Sequence, residues 1–454
     1  MKVPPVNREL AFETKSVNKL VWDYALPAIV GMIVSALYNI VDRIFLGHGV
    51  GSLAMSGLAI TFPVMILTSS LGILVGTGAS SRISLALGQK NKQHAEQILG
   101  NSLLLLVVFN IIITVVFLIF LKPILMAFGA SELTFPYARD YLQIIIPGNI
   151  FVSTCFCFNN MMRVSGYPKK AMYTMFIGAG CNVVLTPIFI FVLGMGIRGT
   201  AISTVISMCI GTIFVMRHFV QPDSLIRLKK RHIRLDLAII TAIVSIGFSP
   251  FLMQVAGTFV AALMNTQLMR YGEDLAVGAF SIYNSLSMLI VMVAIGLNQG
   301  MQPIIGYNYG AKNYGRVKET LYYGLKVATV VTSIGWGIGM FMPQLFASAF
   351  TSDPQTLALA ERGIRIATVA FPVIGFQIVV SSYFQSIGQA KKSIILSLTR
   401  QILFLIPALL ILPRFLGLDG VWVANPVSDV ISAVVAGGFL VHLTRELNGL
   451  IGES

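Results

Sequence analysis

Leu20-Val-Trp-Asp-Tyr-Ala-Leu-Pro-Ala-Ile-Val-Gly-Met-Ile-Val-Ser-Ala-Leu-Tyr-Asn-Ile-Val-Asp-Arg-Ile-Phe-Leu-Gly47 is an apolar run that carries a carboxylate, Asp42, several turns inside it. Such a run exceeds the roughly 20 residues that a helix needs to cross about 30 Å of hydrocarbon. An ionisable group at membrane depth costs from about 2.5 to well over 10 kcal/mol, so it is rare unless it faces a polar interior and has a task there. Asp42 lies about 22 residues from the start of the run, about 33 Å along a helix that rises 1.5 Å per residue. Helix neighbours point about 100° apart, which places Arg43 poorly as a partner. Tyr38 and Asn39 fall about one turn before Asp42 and Ser35 two turns before it, giving the helix a polar stripe.

The rest of the composition agrees with a membrane. Apolar residues make up 56% of the chain and charged ones 11%, against about 25% charged in soluble domains, and the mean hydropathy is +0.82. The alternating segments of ~10 residues that mark a transmembrane barrel are absent. Met1 to Lys19 is polar and mixed in charge, without the short apolar core and small-residue cleavage site of a removable signal, and none is expected. The net charge of +14 is expected to reflect basic cytoplasmic loops rather than nucleic-acid binding. Cys155, Cys157, Cys181 and Cys209 lie in apolar runs without the paired spacings of a zinc or redox site. His48, His94, His218, His232 and His442 form no His-Glu-x-x-His pattern, and no Gly-x-x-x-x-Gly-Lys-Ser/Thr loop appears. No metal, cofactor or enzymatic activity is expected, and ATP is not the expected direct energy source.

Apolar runs between polar breaks give twelve expected spans: 20–46, 56–84, 97–121, 140–162, 170–192, 197–218, 238–269, 276–305, 319–341, 363–386, 393–412 and 420–443. The basic stretch Arg227-Leu-Lys-Lys-Arg-His-Ile-Arg234 divides them, so we expect a six-helix lobe over 1–219, a cytoplasmic linker over 220–236 and a second six-helix lobe over 237–454. Lys2, Arg8, Lys15, Lys19, Lys90, Lys92, Arg163, Lys169, Lys170, the linker, Lys312, Arg316, Lys391, Lys392 and Arg445 fall on one side of this arrangement. Both termini are therefore expected in the cytoplasm.

The halves repeat. Leu85-Ala-Leu-Gly-Gln-Lys-Asn91 resembles Tyr307-Asn-Tyr-Gly-Ala-Lys-Asn313, and Ser165-Gly-Tyr-Pro-Lys-Lys170 resembles Ile387-Gly-Gln-Ala-Lys-Lys392. Gly88 and Gly310 are 222 residues apart, as are Gly166 and Gly388, and Gly78 and Gly300. Six helices per repeat is an even number, so the halves share one orientation and are expected to be related by a pseudo-two-fold axis along the membrane normal. The expected fold is an all-α polytopic membrane protein of this two-lobe kind, of the type that rocks to give alternating access.

The first run from Pro27 to Gly47 resembles the opening helix of the multidrug and toxic compound extrusion (MATE) family. So do Gly78-Ala-Ser-Ser-Arg-Ile-Ser-Leu-Ala-Leu-Gly88, Arg163-Val-Ser-Gly-Tyr-Pro-Lys169 and Gly420-Val-Trp-Val-Ala-Asn-Pro-Val-Ser-Asp429, in an order that covers nearly the whole chain. The pattern is nearest to the DinF-type branch. The resemblance implies a cation-coupled exporter of cationic or amphipathic organic compounds in the bacterial inner membrane, acting as a monomer. It implies proton coupling at Asp42, with Tyr38, Asn159, Asn182 and Thr204 lining the proton or substrate site; Asn39, on the polar stripe beside Asp42, and Thr186, on the helix face of Asn182, are added to that candidate lining from their spacing. One departure matters. The family pattern Asn-x-x-x-Asp-Pro reads here Asn182-Val-Val-Leu-Thr186-Pro187, so the first lobe has one deep carboxylate where some relatives have two. The acids that a NorM-type branch carries are missing from Pro250 to Thr258 and from Phe376 to Val380.

Asn182 and Thr186, four apart, share a helix face. Asp429 and Arg400 sit at matching depths of neighbouring antiparallel spans and are the candidate second-lobe ion pair. The expected coupling ion is H+, with Na+ as the alternative. A flippase for a lipid-linked saccharide is the alternative function, and it predicts several cations facing a pyrophosphate.

Overall fold

The structure, a computed structural model, describes residues 6–453; Lys2 lies outside them, as do the side chains of Arg8 and Arg43. The described residues form helices and no strand. We label the long helices α1 (Val17–Gly49), α2 (Ser52–Gly88), α3 (Lys92–Ile119), α4 (Phe135–Val164), α5 (Pro168–Val192) and α6 (Gly196–Val220). After the linker, Leu237–Gly310 spans 74 residues that are helical on both sides of a single kink. At 1.5 Å per residue that is about 110 Å, more than three bilayer cores. It breaks at Glu273, where φ is 54° and ψ −159°, and these two parts are α7 (237–272) and α8 (274–310). Then follow α9 (Tyr314–Phe341), α10 (Pro354–Thr368 with Phe371–Ser386), α11 (Ala390–Leu416) and α12 (Leu418–Glu453).

These are the twelve expected spans, with two differences of detail. The expected loop between 269 and 276 shrinks to the single non-helical residue Glu273. The run 363–386 is two helices bent by 49°. Pro372 explains the bend, because its ring offers no N–H and collides with the carbonyl four residues earlier.

Contacts gather the chain into two compact units. One holds Val30–Phe251 with the short helix Val6–Thr14, and the other holds Lys15–Ile29 with the chain from Leu252 onward. Helices α1 and α7 thus each begin in one unit and continue in the other, at Val30 and Leu252, positions 222 apart like the repeats. This differs from a division of the chain at 219 and 237, because repeats are sequence units whereas these units follow contacts.

Glycines make the attachment of α7's first half. A Cβ on Gly247 would lie 1.7 Å from the Leu74 carbonyl oxygen, and one on Gly78 would lie 2.0 Å from that of Ile243. In the other unit, a Cβ on Gly300 would lie 2.5 Å from the Ala25 backbone. Small residues let helix backbones approach closely where lipid offers no hydrophobic drive. Gly247→Ala is therefore expected to push α7 off α2 and destabilise the protein by about 1–3 kcal/mol, measured as a lower melting temperature in detergent; an unchanged melting temperature would contradict this packing.

The linker is bound to the first unit. Glu96, near the start of α3, is almost fully buried and accepts from Lys229 Nζ at 2.6 Å and Arg227 N at 3.3 Å. Tyr167, at the turn between α4 and α5, donates to the Asp223 carbonyl at 2.9 Å. The cation-bearing turns of this unit thus meet at one end, the linker end. At the opposite end Leu46, Tyr141, Leu142, Ile146 and Ala201 form an apolar cluster. The second unit packs around Trp422, whose ring meets Phe280 at 5.6 Å and Tyr283 at 6.0 Å.

Candidate functional site

Helix α1 has an apolar outer face: Ile33, Leu37, Ile40 and Ile44 are exposed. Asp42 points about 200° away from Ile40 at 100° per residue. The half-buried carboxylate turns instead to α5.

Pro187 shapes the part of α5 that meets it. The helix widens after Pro187 into a π-helical segment, Ile188–Val192, as a missing backbone donor and a ring clash would produce. Thr186, just before, is fully buried, and its hydroxyl donates to Asp42 Oδ1 at 2.8 Å. The same hydroxyl lies 2.8 Å from Ser203 Oγ on α6 and 3.5 Å from Asn182 Oδ1 one turn back. Asn182 in turn donates to Thr204 Oγ1 at 3.3 Å. Ser203 Oγ is also 2.9 Å from the Thr200 carbonyl.

A hydroxyl has one proton and two lone pairs. With Asp42 ionised, Thr186 spends its proton on the carboxylate, so the contact with Ser203 requires Ser203 to donate. With Asp42 protonated, the carboxyl can donate to Thr186, which then donates to Ser203, which donates to the Thr200 carbonyl. The same heavy-atom positions accommodate both states, and the direction of every donor in the chain differs between them.

Of the residues singled out in the sequence, the structure thus joins Asp42, Asn182, Thr186 and Thr204. Tyr38 is half-buried one turn before Asp42. Asn39 is exposed, and its amide folds back onto the Ser35 carbonyl at 2.7 Å. Asn159 belongs to a different cluster, towards the linker end of α4. Its carbonyl accepts from Arg163 at 3.0 Å and its amide donates to the Ala171 carbonyl at 2.6 Å. The physical reason is Arg163 itself, a buried guanidinium one turn later that needs oxygen acceptors and also takes Asn160 at 3.1 Å. In the second unit Arg400 Nε donates to Asp429 Oδ1 at 2.5 Å, with Asp429 buried. Arg400 sits in a π-helical segment, Thr399–Leu405, and its carbonyl accepts from Ser428 at 2.6 Å.

Ser203 is the residue that sequence reasoning misses in favour of its neighbour Thr204. A signal exists: Thr200, Ser203 and Ser207 recur at helical spacing and are all fully buried. Arg163 reads in the sequence as one of the basic loop residues, and nothing in its surroundings there marks it as buried.

Three comparisons bear on this arrangement. The MatE family model matches residues 27–188 and 237–410. Multidrug export protein MepA of Staphylococcus haemolyticus is 27% identical over 434 residues, covering 96% of this chain and 95% of that protein. MepA of Staphylococcus aureus is 26% identical over 441 residues, 96% of each chain. Among solved structures, the MATE multidrug transporter DinF-BH is 37% identical, with a TM-score of 0.89 over 96% of this chain and 98% of that one. An outward-facing multidrug resistance MATE family transporter of the MOP superfamily is 26% identical, with a TM-score of 0.90 over 97% and 98%.

Proposed function

The chain belongs to the MatE family of multi-pass membrane transporters, and from that premise we propose that it is a multidrug exporter driven by protons through Asp42. The exporter takes cationic or amphipathic organic compounds from the cytoplasm and releases them outward, in exchange for protons, by alternating access across a bacterial inner membrane. Both termini are cytoplasmic, and the monomer is the working unit. The observation that carries this reading is the hydrogen-bonded chain from Asp42 through Thr186 to Ser203.

Protonation neutralises the carboxylate at the head of that chain and reverses its donors, so α1, α5 and α6 are held together differently in the two states. A cationic compound is favoured by the ionised carboxylate, and a proton removes that attraction. By linkage each must lower the other's affinity. The second carboxylate that some relatives are expected to carry is replaced here by Thr186, a donor that cannot ionise, so the chain has one titrating group and a fixed partner for it.

The hydroxyl of Thr186 tests this assignment. A hydrogen bond to a charged group is worth about 1.5–3 kcal/mol, so Thr186→Val, similar in shape but without the hydroxyl, is expected to slow pH-driven export about tenfold or more. Thr186→Ser restores the donor and should keep most of the rate. Equal rates for the Val and Ser variants in inverted vesicles would remove Thr186 from the coupling chain.

Sodium is the alternative ion, since Asp42 and the Thr186 and Ser203 hydroxyls are oxygen ligands of the kind hard cations take. The flippase alternative calls for cations free to face a pyrophosphate, and the buried Arg163 is engaged by Asn159 and Asn160 instead.

A further inference from the structure

At the linker end of the first unit, the end of α2, the start of α3 and the start of α7 border a partly open cavity of about 140 Å³, lined by Arg82, His94, Ile98, Ala238, Ile239 and Ala242. Arg82 Nε is shut off from solvent and has no hydrogen-bond partner among the described residues. A guanidinium presents five donors in a fixed fork, and leaving one of them buried and unanswered is unfavourable unless something else supplies an acceptor. His94 lines the same space.

Two acids on the elements that border this space, Glu96 on α3 and Asp236 just before α7, are already engaged. Glu96 holds Lys229 Nζ at 2.6 Å, and Asp236 caps α7 by accepting from Ala238 N at 3.0 Å. The cap also occupies the first N–H groups of α7, so an anion in the cavity would be held by side chains rather than by the helix terminus. Lys90 and Lys92 extend the positive potential around the α2–α3 turn.

The other half of the molecule shows that this space is not a by-product of the fold. The repeat spacing of 222 relates Asn91 to Asn313, and both cap the helix that follows, accepting from His94 N and Arg316 N. It also relates Ala25 to Gly247, the residues that approach Gly300 and Gly78. By the same spacing Arg82 corresponds to Ile304 and Ala242 to Leu20, both fully buried apolar residues. His94 corresponds to Arg316, which donates to the Lys15 carbonyl at 2.6 Å. Where the second unit places the buried side chains of Ile304 and Leu20, the first unit has a guanidinium and an alanine. Arg316, bound to Lys15 through one terminal nitrogen, also keeps a buried Nε without a partner among the described residues, so the difference between the units lies in the space and not in that donor.

We propose that this cavity binds a phosphate-bearing anion, supplied in the membrane by the headgroup of an anionic lipid. The setting favours that chemistry. Basic pockets between transmembrane helices at the cytoplasmic side select anionic headgroups, and guanidinium–phosphate contacts are charge-assisted and often bidentate. The site lies wholly within one unit and does not depend on which ion drives transport.

The test is native mass spectrometry of the 454-residue chain in detergent, titrated separately with short-chain phosphatidylglycerol, short-chain phosphatidylcholine and inorganic phosphate. The wild type should bind one phosphatidylglycerol saturably and in preference to phosphatidylcholine. Arg82→Gln, which removes the charge, and Ala242→Leu, which fills the space and leaves Arg82 in place, should each weaken that binding about tenfold or more. Melting temperatures without added lipid check that both variants fold.

The arms also separate the sources of the phosphate. Competition by inorganic phosphate would show that the phosphate is recognised by itself, and binding of phosphatidylglycerol alone would show that the acyl chains contribute; either supports the site. No saturable binding of either compound, equal binding of the two lipids, or wild-type affinity in both variants would overturn it.

Discussion

Replacing Asp42 by Asn is expected to abolish export driven by a pH gradient while leaving the protein folded. Asn preserves the shape of the carboxylate and can still accept from Thr186 at the position now 2.8 Å from the threonine hydroxyl. It cannot take up or release a proton in the working range, so the donor order of the chain through Ser203 is frozen. The expected loss is of nearly all pH-dependent flux, about a hundredfold or more, a factor that corresponds to about 2.7 kcal/mol in the coupled step. The measurement is uptake of a fluorescent organic cation into inverted vesicles or proteoliposomes under an imposed pH gradient. Binding of the same compound, measured without a gradient, should lose its pH dependence in the variant. Wild-type uptake by Asp42→Asn would move the proton site elsewhere.

The second large effect is on stability. Asp429 is buried and held by Arg400 at 2.5 Å. Asp429→Ala leaves the guanidinium in a poorly solvated position without its counter-charge, and breaking a buried pair in this way costs about 3–5 kcal/mol. The melting temperature in detergent should fall by the largest amount of any single change considered, and transport should fall with it. Removing both charges with Arg400→Met and Asp429→Leu should recover most of the stability, because replacing a buried pair by apolar groups of similar volume is often neutral or better. If Asp429→Ala melts like the wild type yet no longer transports, the pair belongs to the transport chemistry and not to the scaffold.

Asp42 stood out in the sequence because a carboxylate inside an apolar run is costly wherever the helix goes, and the structure gives it a buried threonine donor. The pairing of Arg400 with Asp429 was legible from depth alone, since adjacent antiparallel spans bring matching depths together. The choice between Ser203 and Thr204 was not, because residues one apart on a helix point about 100° from each other and only the packing of α6 says which one meets α5. Asn159 illustrates another limit. A polar side chain in an apolar helix advertises that it needs a partner, but Arg163, one turn away, competes for its carbonyl more strongly than any distant group.

The twelve spans followed from length and hydropathy, whereas the crossing of α1 and α7 between the two units did not. It depends on contacts at Gly78, Gly247 and Gly300 that a list of glycines does not distinguish from the rest of the 41 in the chain. The repeat of 222 residues carried more than its first use. It predicted two similar halves, and its violation at Arg82 and Ala242 is what makes the cavity at the linker end conspicuous.

Export depends, in this mechanism, on protons acting at Asp42. Purified protein in proteoliposomes, loaded with an organic cation substrate and given proton and sodium gradients separately, tests that dependence most directly. A pH gradient alone should drive transport at full rate, and a sodium gradient at clamped pH should not. Transport driven equally by sodium at clamped pH would contradict the mechanism.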